Sequence, residues 1–100
     1  MEISKIMSML NTSVEQYESI KIKFEDFKAS NGHELPSLEN TMDLHGRIDS
    51  IISKLKLNFN VKKGQAEYIL HSLRELMDNV EILIEQMEIE ELKEDERYFV

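Results

Sequence analysis

The chain has 100 residues, 41% apolar and 32% charged, with a formal net charge of −8. That balance fits one globular helical or coiled-coil domain, excludes a disordered chain, and sets an acidic surface against nucleic acid and anionic membranes. The absence of Cys excludes disulfides, thiolate metal sites and cysteine nucleophiles.

Three Gly and one Pro are too few for a sandwich or barrel. Nothing resembles a signal peptide or membrane span, so a cytoplasmic location is expected. The charge is uneven. Arg47, Lys54, Lys56, Lys62 and Lys63 face only Asp49, whereas seven acids between Glu85 and Arg97 face only Lys93 and Arg97. One end of the molecule is basic and the other acidic.

The first helix is expected over 3–29. Its apolar line is Ile3, Met7, Leu10, Val14, Tyr17 and Phe24, with Ile6, Ile20 and Phe27 alongside. Lys21 falls on that line. Its stem can lie along apolar surface with the ammonium in water, or meet a carboxylate from another helix. Lys28 suits the negative pole of the helix, and Asn31-Gly32 supplies a left-handed stop.

Pro36 holds Leu35 extended and stops a helix from running through. Ser37 is then the N-cap of a second helix over 38–57, with Glu39 in its first turn. Leu38, Leu44, Ile48, Ile51, Ile52 and Leu55 form its inner face, with Met42 at the margin and Phe59 continuing the line. Gly46 lies inside it at a cost of about 1 kcal/mol relative to Ala. It marks either a close approach or a kink. Asn58, Asn60 and Gly64 mark the next turn.

The third helix, over 65–93, is the longest, roughly 43 Å at 1.5 Å per residue. Ala66, Leu73, Val80 and Met87 take heptad position a; Ile69, Leu76 and Leu83 take d; Leu70, Met77 and Ile84 take e. In the fourth heptad, Glu90 and Glu91 replace the hydrophobes, so the last turns leave the core. Residues 94–100 are expected as a short tail. Ile82 and Ile89 occupy position c, on the reverse of the helix, with Leu92 nearby at f. They suggest a second contact surface.

The chemistry-bearing groups are sparse. Glu75 with Asp78, and Glu90, Glu91 with Glu94, resemble the magnesium-binding carboxylates of the all-helical nucleotide pyrophosphohydrolases related to MazG. The resemblance implies a caged Mg²⁺. It covers five residues in reversed order. Both clusters lie on one helix, ~18–28 Å apart, so they cannot share a metal within one chain. His45 with Asp49 and His71 with Glu75 are i, i+4 pairs without the further ligands of a metal site. His33 lies in a loop, and no phosphate loop or nucleophile triad is present. The basic run to Lys63 has only Phe59 interleaved and no recognition-helix pattern. No catalytic, cofactor or metal site is assigned.

The expected fold is all-α: an antiparallel three-helix bundle with long first and third helices and coiled-coil-like packing. The first and third would overhang the second, leaving apolar surface at the open end. The expected function is a non-enzymatic interaction module, such as an adaptor, chaperone or antitoxin-like binder. Its partner is a second copy in a homodimer, or another helical protein. Partner binding is assigned to Ile82, Ile89, Leu92, Glu85, Glu88, Glu91, Glu94 and Asp95. The alternative is an acidic inhibitor of a nucleic-acid enzyme, of the phage anti-defence or DNA-mimic type.

Overall fold

A computed structural model describes residues 2–29, 34–62 and 64–98, with side chains as far as residue 93 in the last helix. Three helices make up the fold: α1 (Ile3–Lys28), α2 (Leu38–Asn58) and α3 (Gly64–Tyr98). Each packs against the other two, so the cross-section is a triangle. The described residues contain no strand, and no described helix is long and apolar enough to cross a membrane. The fold is the expected all-α three-helix bundle.

The helix ends follow local chemistry. Ser37 is extended, and its hydroxyl accepts from the Asn40 N–H at 3.2 Å. This satisfies one of the donors that a helix start leaves free. Phe59 leaves α2 in extended geometry while its N–H still donates to the Leu55 carbonyl. Asn60 Oδ1 accepts from the Lys62 N–H at 3.1 Å and tightens the turn. Gly64 then opens α3 with φ +60, a left-handed conformation that disfavours other residues. The stop expected at Asn31-Gly32 lies outside the described residues, as does His33. α2 runs through Gly46 without a break, and Gly46 admits no neighbour: a Cβ there would meet nothing within 4 Å.

Thr41 reaches Met87 and His45 reaches Glu81, so α2 and α3 run in opposite directions. Leu10 to Glu18 border Tyr68 to Asn79, so α1 and α3 run in the same direction. The heptad stripe of α3 is the centre of the core. Ala66, Ile69, Leu70, Leu73, Leu76, Val80, Leu83 and Met87 are all buried. They meet Leu44, Ile48, Ile51, Ile52 and Leu55 of α2 and Ile6 and Leu10 of α1. Each Leu, Ile, Val or Met side chain among them contributes about 1.5–3 kcal/mol on leaving water.

The inner face of α1 differs from the expected one. The buried line of α1 is Ile6, Leu10, Ser13 and Phe24, while Ile3, Met7, Val14 and Tyr17 are half-buried beside it. Ser13 fits because its hydroxyl donates to the Met9 carbonyl at 2.9 Å. Among the described residues, part of the apolar surface expected at the open end is covered. Phe24, Leu83 and Met87 form a second cluster, covered by Phe27, Leu35 and Leu38. Pro36 turns the α1–α2 connection so that Leu35 folds over the end of the bundle. Lys28 sits 4.9 Å from the centre of the Phe24 ring, a cation–π contact at the same end.

Candidate protein-interaction surface

Among the described residues, the last contact of α3 with the bundle is at the α1–α2 connection. Glu91 borders a groove there with Phe27, Leu35 and Leu38. The helix does not stop at 93 as expected. Its backbone continues to Tyr98, so most of the expected tail is helical, and Phe99 and Val100 lie outside the described residues. Successive carboxylates and Lys93 are acceptable helix formers, and Lys93 Nζ pairs with Glu90 Oε1 at 3.4 Å one turn back.

The outward face of α3 carries three large apolar side chains. Ile82 is 53% exposed, Ile89 50% and Leu92 63%. At 100° per residue, Glu85, Ile89 and Leu92 fall within about a 60° arc, far around the helix from Met87. Glu85 and Glu88 are exposed beside them, whereas Glu91, also exposed, lies further round the helix at the groove with Phe27 and Leu35. Glu94 and Asp95 belong to the same helix, but their side chains lie outside the described residues. Ile82 leans toward α1 and lines a pocket of about 220 Å³ with Lys21, Phe24 and Lys28. Ile89 and Leu92 stand free of that pocket.

The other singled-out residues are placed as follows. His45 does not pair with Asp49. Its Nε2 lies 2.9 Å from Glu81 Oε1 across the α2–α3 seam, where the ring is one turn from its own-helix acid but directly opposite α3. His71 is exposed. Lys21 is exposed beside Glu25 at the edge of the α1–α3 groove, with no ion pair among the described residues. Tyr17 is half-buried. Glu75 borders the α1–α3 groove, and Glu91 lies at the end of the bundle, so the two acidic clusters remain apart. Among the described residues no group of three His, Asp or Glu side chains is arranged to hold a metal ion.

The chain matches no protein-family model, no curated protein and no solved structure.

One surface was not singled out by the sequence. Between α1 and α2, on the side of the bundle away from α3, runs a groove of about 300 Å³. Met9 and Ile51 line it together with Arg47 and Lys54, and the small side chains of Ser8 and Thr12 leave it open. Arg47 Nη1 donates to Gln16 Oε1 at 3.3 Å across the groove. The run of cations on α2 was visible in the sequence. That two of them border an apolar cleft depends on how α1 packs.

Proposed function

We propose that the protein is a non-enzymatic interaction module that grips a protein partner through the outward face and acidic end of α3. The observation that carries this reading is the exposure of Ile82, Ile89 and Leu92 on a helix that continues beyond its own core. A residue type that ordinarily sits inside gains from removal from water when a partner covers it. The neighbouring Glu85 and Glu88, with Glu91 at the end of the bundle, would orient the partner and set its association rate, while the aliphatic side chains would supply affinity. The partner is a second copy or another helical protein, met in the cytoplasm.

The test is the double substitution Ile82→Asp and Ile89→Asp. Light scattering should show loss of the complex, and circular dichroism should show unchanged helicity. A complex of unchanged mass would reject this surface.

A second reading is favoured by one feature. Glu81, Glu85 and Glu88 are exposed and follow one another at helical spacing, forming a row of carboxylates. Such a row suits imitation of a phosphate backbone toward a nucleic-acid enzyme. That complex would weaken steeply with added salt; insensitivity to salt would count against it.

A further inference from the structure

We propose that the α1/α2 groove is the socket for the α3 end of a second copy, so that the protein self-associates head to tail. The proposal rests on α3 being the gripping element, and adds what it grips. The groove is apolar along Met9 and Ile51 and cationic at Arg47 and Lys54. None of its lining residues is acidic, in a chain whose net charge is −8. Neither cation is in an ion pair among the described residues. They lie two helical turns apart, about 10.5 Å along α2. Ser8 and Thr12, one turn apart on α1, are short enough to let another helix settle close.

The molecule carries the complementary shape at its other end. Ile89 and Leu92 are exposed apolar knobs, and Glu85 and Glu88 are exposed carboxylates beside them. Docked, the knobs meet Met9 and Ile51, and the acids meet Arg47 and Lys54. Charge complementarity therefore selects this chain's own α3 end as occupant, and disfavours α3 packing on α3, where acid would face acid.

Topology sets the form of the assembly. The groove lies on the edge of the triangle opposite α3. One pair of molecules cannot use both complementary contacts at once, so each contact leaves one end and one socket free. Such a heterologous contact propagates rather than closing as a two-fold dimer. One helix end in one groove is a small interface, below the roughly 1,200 Å² of stable pairs, so association is weak and concentration-dependent.

Two double variants separate the halves. Arg47→Glu with Lys54→Glu removes the socket; Ile89→Asp with Leu92→Asp removes the plug. All four positions are exposed, and circular dichroism checks that each variant is folded. The wild type should show an average mass that rises with concentration and falls with salt. Each variant alone should be monomeric. Mixed in equal amounts they should form a dimer and nothing larger, because one intact plug meets one intact socket. Arg47→Gln with Lys54→Gln, which removes charge without reversing it, should weaken association to a smaller extent.

Persistence of wild-type association in the socket variant, or no dimer in the mixture, would overturn the socket while leaving the reading of α3 standing if the plug variant is monomeric. Undiminished association in the plug variant would overturn both. A wild type that is monomeric at millimolar concentration would overturn self-association and leave α3 to a foreign partner.

Discussion

Up to Met87, α3 places a buried side chain on the core every third or fourth residue, and both neighbouring helices pack on it. Beyond Met87 the same helix continues to Tyr98 with acids where the hydrophobes stood. The first stretch is held by removal of apolar surface from water; the second relies on intrinsic propensity and pairs such as Lys93 with Glu90. A continuous helix is therefore two different objects. One part builds the bundle, and the other is the part to which we assign a partner. Most helical stability in proteins comes from packing, so the second part gains the more from being covered.

The sharpest test of this contrast sets a truncation in each part. Leu73→Ala, at a fully buried position, should lower unfolding stability by about 2–5 kcal/mol in a urea titration. Ile89→Ala, on the outward face, should change it by less than about 0.5 kcal/mol. Similar losses at the two positions would mean that the bundle extends further than its buried residues indicate.

A smaller effect separates two glycines. Gly64 has φ +60, so Gly64→Ala should cost about 1 kcal/mol. Gly46 lies inside a regular helix with open space around it, so Gly46→Ala should gain up to about 1 kcal/mol. Thermal midpoints moving in opposite directions would confirm that one glycine opens a helix and the other only weakens one. The smallest effect belongs to the α2–α3 seam. The His45–Glu81 contact is solvent-exposed, and His45→Ala should cost at most about 1 kcal/mol by the same titration. A larger loss would show that the contact organises the seam rather than decorating it.

The chain by itself determined the elements that depend on neighbours in sequence. Ser37 could be read as a cap because an N-cap acts within three residues, and the stripe from Ala66 to Met87 because helical periodicity is local. The exposure of Ile82, Ile89 and Leu92 followed from the same periodicity. Packing decided the rest. Ser13 and Thr41 interrupt apolar lines, yet both are buried, since each hydroxyl finds a backbone carbonyl one turn back. Thr41 also meets Met87 Sδ at 3.7 Å. Glu81 becomes the partner of His45, and Arg47 and Lys54 come to border one groove, only because particular helix faces meet. These relations join residues far apart in the chain, and no local pattern of hydrophobicity or charge encodes which face of one helix will lie against another.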